Sequence, residues 1–110
     1  MKLSSLTVTD ENIKKKIQQN KILYIEKNRN QSLIYTTEHI YCVYESMKSL
    51  AEKVDEFLWQ INQGLIVNCS YIIKIEKGKV WLKNGLDYTI GRRYLKEVKE
   101  KYFDVSKTQD

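Results

Sequence analysis

Along much of its length the chain sets apolar residues in short runs that alternate with polar ones, the two-residue period of a half-buried strand. Ile22-Leu23-Tyr24-Ile25, Leu33-Ile34-Tyr35-Thr36 and Ile40 to Tyr44 are rich in β-branched and aromatic residues and predict three strands, joined by polar turns at Lys27 to Gln31 and Thr37 to His39. Leu6 to Thr9 predicts an earlier strand, and Leu65-Ile66-Val67 a fully apolar one. Proline is absent, and the four glycines, Gly64, Gly78, Gly85 and Gly91, all lie in the second half. There they punctuate Ile72 to Ile75, Val80-Trp81-Leu82 and Tyr88-Thr89-Ile90, which predicts a three-stranded meander with a type I′ turn at Asn84-Gly85.

The period changes twice. From Ser46 to Leu58, residues Met47, Leu50, Ala51, Val54, Phe57 and Leu58 recur at helical spacing, with Ser46 as the N-cap. From Arg92 to Tyr102, Leu95, Val98 and Tyr102 share one face of a short amphipathic helix that follows Gly91, and 103–110 reads as a frayed tail. Strands, one helix, more strands and a terminal helix predict a mostly β protein of antiparallel sheets with helices as covers. No repeat or linker interrupts it, so residues 1–110 are expected to form a single domain with its core over about 6–102.

At 110 residues a chain can bury a core without disulfides or metal. Cys42 and Cys69 lack CxxC spacing and His39 is the only histidine, which argues against a zinc site; both cysteines read as small core residues of a reduced protein. No apolar run approaches the ~18 residues of a membrane span and no signal peptide is visible, so a cytoplasmic location is expected. One histidine, no Gly-rich phosphate loop and no GxSxG elbow argue against an enzyme, and no cofactor or small-molecule substrate is expected. Asp10/Glu11 and Asp55/Glu56 read as turns or exposed helix ends. Lys14-Lys15-Lys16 reads as protection ahead of a strand against edge aggregation. Trp81 points away from Val80 and Leu82, onto a second sheet or a partner surface.

Charge points to an anionic partner. The net charge is +5, and Tyr71 to Lys101 alone holds nine Lys and Arg against four acids, so the rest of the chain is neutral. Five stretches then resemble, in order, the LytTR domain, the DNA-binding module of LytR/AgrA-type response regulators. Lys21-Ile22-Leu23-Tyr24-Ile25-Glu26 is similar to that family's DILYIE strand, and Tyr41 to Leu50 to its YLVRESLKEL strand and helix. Leu65-Ile66-Val67-Asn68 resembles YIVN, Leu82 to Gly85 resembles LKNG, and Arg92 to Lys96 resembles SRRYLKEL. The matches run from about Leu6 to Tyr102.

The resemblance implies an elongated β sandwich of antiparallel sheets with one short helix between strands and a short C-terminal helix. It also implies sequence-specific binding of double-stranded DNA at direct-repeat promoter sites, in a bacterial, two-component setting, with loops rather than an inserted helix in the major groove. Carried over residue by residue, the contacts fall on Lys27, Arg29, Asn30 and Gln31 in the first loop, with Ser32 as a weaker candidate. They fall next on Asn62-Gln63-Gly64, where the family has His-Arg-Ser, and on Arg92 and Arg93, the first suited to phosphate and the second to bases. With the cation gone, Asn62 or Gln63 suits adenine N6 and N7, where arginine suits guanine. These residues contain no receiver domain, so a stand-alone regulator and the C-terminal output domain of a response regulator both stay open. A receiver domain, a membrane-bound regulator and a dimer on DNA are the further partners considered. Two other readings stand beside the first: an interaction module of the same fold with weakened or lost DNA binding, and a single-strand or RNA binder using exposed tyrosines.

Overall fold

Alternating segments pair into three antiparallel sheets in a computed structural model that describes residues 4–108. The order is β1 (Ser5–Asp10), β2 (Ile13–Gln18), β3 (Ile22–Asn28), β4 (Gln31–Thr36), β5 (Ile40–Val43), α1 (Met47–Lys53), β6 (Leu58–Asn62), β7 (Leu65–Asn68), β8 (Ile72–Glu76), β9 (Lys79–Leu82), β10 (Asp87–Thr89) and α2 (Arg92–Thr108). β1 and β2 form a hairpin, β5-β4-β3-β7-β6 a central sheet, and β10-β9-β8 the meander expected from the glycines. The fold is thus mostly β, as the alternation predicts.

Five details differ from the sequence reading. α2 does not stop at Tyr102 before a frayed tail but runs on to Thr108, and 109–110 lie outside the described residues. The lysine run is itself strand β2, not a flank: Lys15 lies half-exposed on the face of Ile17, its ammonium 3.5 Å from the Asp10 carboxylate and 5.7 Å from the Tyr41 ring, while Lys14 and Lys16 face out. α1 ends at Lys53, because Val54 takes extended backbone, and Leu58 opens β6. Val54, Phe57 and Leu58 keep helical spacing only because they pack on the same core as α1. Asn84-Gly85 is not a type I′ turn. Gly85 alone is left-handed, at φ +87°, its N–H donates to the Leu82 carbonyl and Leu82 N–H to the Leu86 carbonyl, both at 2.9 Å, which makes a three-residue loop with a glycine bulge. Lys77-Gly78 and Glu11-Asn12 supply the type I′ turns instead, with φ positive at both positions of each. Finally, Cys42 and Cys69 are free and only half-buried rather than core residues.

The central sheet has covers on both faces. On one, Ile25, Ile34, Val43 and Ile66 pack with Leu6, Val8 and Ile17 of the hairpin and with Met47 and Leu50 of α1. On the other, Tyr24, Trp59, Ile61 and Val67 pack with Val80 and Leu82 of the meander and Val98 of α2. β7 lies between both covers, which is why Leu65-Ile66-Val67 shows no alternation and all four of its residues are buried. Its last residue, Asn68, is also buried, and donates Nδ2 to the Ile22 carbonyl at 2.9 Å. Trp81 faces outward from the meander, with Lys74 Nζ 4.7 Å from its ring centre. The layers give an elongated body of 42 × 35 × 25 Å. Among the described residues no helix is long and apolar enough to cross a membrane.

Candidate nucleic-acid interface

The first candidate loop is the turn of the β3–β4 hairpin. Asn28 and Gln31 close its register, leaving Arg29 and Asn30 as a two-residue turn. Only Arg29 has a positive φ, +61°, the pattern of a type II′ turn, whose first position favours glycine. Lys27, Arg29 and Asn30 are exposed and Gln31 is half-buried. Ser32 is buried at 2% exposure and donates its hydroxyl to the Glu45 carbonyl at 2.7 Å, which gives it a structural task.

The second candidate, the β6–β7 turn, follows a register shift between Gln60 and Asn62 that sends Ile61 fully into the core. Asn62 is held at both ends of its amide: Oδ1 accepts from Gly64 N–H at 2.8 Å and Nδ2 donates to the Thr89 carbonyl at 2.9 Å. Gln63 stands exposed at the tip. Lys27 N–H donates to the Gly64 carbonyl at 2.9 Å, which ties this turn to the β3–β4 hairpin.

On its other side the same turn meets the start of α2. Gly91 N–H donates to the Ile61 carbonyl at 2.9 Å, and a Cβ at Gly91 would sit 3.1 Å from Tyr94 Cδ2, tighter than side chains ordinarily pack, and in contact with Asn62 Cβ at 3.4 Å. The next two residues, Arg92 and Arg93, are exposed, and the first turn of α2 holds no acid. Three segments distant in sequence therefore lie side by side along one border of the molecule.

Part of that border is concave. A groove of about 530 Å³ has Lys27, Arg29, Asn30, Gln31 and Gln63 on one side. Asn62, Arg92 and Arg93 do not line it; they sit beyond the β6–β7 turn. The opposite side is the β5–α1 corner, with Tyr44, Ser46 and Lys48; the sequence reading gives Ser46 the role of N-cap and Tyr44 that of core or rim packing, and places none of the three in the interface. One signal was available: Tyr44 occupies the arginine position of the YLVRESLKEL motif, and it is 71% exposed at the end of an apolar run.

Electrostatically the border is unneutralised. Lys27, Arg29, Lys48, Arg92 and Arg93 make no ion pair among the described residues; Lys14, Lys16, Lys77, Lys83, Lys96 and Lys99 make none either, so the border is set apart by the gathering of its cations rather than by their lack of partners alone. Glu45, at the back of the groove, is spent on Lys53 at 2.9 Å. A second cleft, beside the first residue of β3, holds Lys16, Lys21 and His39, but there Lys21 bonds Glu38 at 2.8 Å. That bond raises the pKa of Lys21 and lowers that of Glu38.

The family model of the LytTr DNA-binding domain matches residues 13–103. The chain belongs to that family. The matched span opens at β2 and includes every residue of the border. Among solved structures, this LytTr domain is similar to the LytTr DNA-binding domain of a methyl-accepting/DNA response regulator from Bacillus cereus, with a TM-score of 0.71 and 14% identity over 88% of this chain and 94% of that one. At that identity the likeness is one of fold. No curated protein matches the LytTr domain described here.

Proposed function

We propose that this LytTr domain binds duplex DNA in a sequence-specific manner and serves as the DNA-reading part of a cytoplasmic bacterial transcriptional regulator. One observation carries the reading: the β3–β4 turn, the β6–β7 turn and the start of α2 share a border whose cations lack acidic partners. An anionic rod such as duplex DNA supplies the missing charge. Lys27 and Arg92 are assigned to phosphates, Arg29, Asn30, Gln31 and Arg93 to base edges in the major groove, and Gln63 to adenine through N6 and N7. Asn62 is assigned to positioning, since its amide already holds the turn. Direct-repeat sites would seat two copies along the helix, and a receiver domain or a membrane-bound regulator would control occupancy.

Selection of bound duplexes from a random pool, followed by sequencing, tests the reading. The expected result is a shared sequence, salt-sensitive binding, and a loss of about 1–3 kcal/mol for Arg93→Ala. A pool that yields no shared sequence and no salt-sensitive binding would favour an interaction module of the same fold.

A further inference from the structure

We infer that the β5–α1 corner is the second wall of the DNA groove and grips one sugar–phosphate strand, Lys48 through a phosphate and Tyr44 through a deoxyribose. This assignment rests on the DNA reading above and extends it to a segment that the three expected contact regions do not include. The corner and the hairpin enclose the same 530 Å³ groove, so a strand seated against Arg29 and Gln31 also faces Tyr44 and Lys48.

The corner is built to hold its shape. Buried Ser32, on the hairpin side, bonds the Glu45 carbonyl on the corner side, so the two walls are tied at the floor of the groove. Ser46 caps α1 by accepting from Ser49 N–H at 3.1 Å, and Met47 is buried at 5% exposure. Between these anchors Tyr44 and Lys48 are left exposed, and neither ring contact nor ion pair occupies them among the described residues. The one carboxylate between them, Glu45, is held by Lys53 and by the Ser49 hydroxyl.

Chemistry assigns this wall to backbone rather than to bases. An ammonium is a point charge without the planar fork that distinguishes guanine, and a phosphate satisfies it in any sequence. A tyrosine ring supplies apolar area to a sugar edge and carries no donor pattern specific to one base pair. The hairpin wall opposite holds the Asn, Gln and Arg side chains that do carry such patterns. Past Tyr44 the adjoining cleft is lined by Thr9, Glu11 and Asn12 and offers no Lys or Arg to a phosphate, so the proposed contact is assigned no further residue there.

Anisotropy titrations over a salt series, with a duplex from the selection and an unrelated duplex of equal length, test the assignment on the intact chain. Lys48→Ala is expected to weaken both duplexes alike, about fivefold, and to flatten the slope of log K against log salt by about 0.9. Lys48→Arg restores the slope. Tyr44→Ala weakens binding severalfold with the slope unchanged, and thermal melts check that both exposed-site variants stay folded. If wild type binds and both alanine variants match it in affinity and slope, or if Lys48→Ala changes the preferred sequence, the backbone assignment is overturned. If wild type binds neither duplex, it is the DNA reading itself that falls, and this assignment falls with it.

Discussion

Arg29 holds its charge at a backbone position that suits another residue. Its φ of +61° lies in the left-handed region, where a Cβ crowds the following carbonyl and a non-glycine residue is held at a cost of about 1–2 kcal/mol. Glycine would fit the turn without that cost but would carry no guanidinium. The proposed DNA role accounts for the choice: local strain is tolerated where an exposed cation is needed at the tip of a short, rigid hairpin. Arg29→Gly should raise stability by about 0.5 kcal/mol, the relief of strain being partly offset by the greater freedom of glycine in the unfolded chain. The same substitution should lower affinity for a selected duplex. A thermal melt and a binding titration on one sample check both directions. A variant that gains stability and keeps full affinity would remove Arg29 from the interface, and one that loses stability would refute the strain.

At the scale of elements, the border depends on one turn that touches both of its neighbours. Asn62 links the β6–β7 turn to β10 through the Thr89 carbonyl and closes its own turn on Gly64 N–H. Asn62→Ala leaves both groups without their partner and should cost about 1–2 kcal/mol in a urea unfolding experiment, with the m-value unchanged. Duplex affinity should fall as the start of α2 loosens, while the base preferences recovered by selection stay the same. Loss of a preferred adenine instead would make Asn62 a reader. Alternation makes β1, β3, β4 and β5 legible in the sequence, an unbroken apolar run does so for β7, and turn glycines do so for the meander, because each carries its own local pattern. β2 and β6 are not, since Lys15 lies on the face of Ile17 and since Val54 to Leu58 mimics a helix by sharing its core. The hairpin, the Gln63 turn and the paired arginines were reached through family-like motifs. Tyr44 and Lys48 join them through the β4–β5 register, which pairs Ser32 with Val43, and through the Ser32–Glu45 bond, tertiary placements that no local pattern assigns to the site.

For the whole molecule, the question is what fastens the meander, which leads into Arg92 and Arg93, to the central sheet. Part of the answer is a seam of tyrosines. Tyr24 of β3 stacks on Tyr35 of β4 at 4.3 Å between ring centres and reaches Tyr71, just before β8, at 5.9 Å. Burial pushes the Tyr24 phenol up to about 12, with Tyr35, Tyr88 and Glu26 adding to the shift as charges nearby, and burial likewise raises Tyr88 of β10. A folded pKa above the unfolded value, which is about 10, means that folding favours the neutral phenol. The stabilisation from this shift is therefore complete below about pH 10 and is lost as the pH climbs through about 12. Tyr24→Phe keeps the stacked ring and removes the ionisable group, so its stability should fall less steeply than that of wild type across this window. Lysines lose their charge over the same range, but they are common to both proteins, and the difference between the two curves isolates Tyr24. Urea unfolding at a series of alkaline pH values, read beside tyrosinate absorbance, measures that difference. Parallel curves for the two proteins would mean that folding does not shift the Tyr24 phenol and that the seam acts through ring stacking and apolar contact alone.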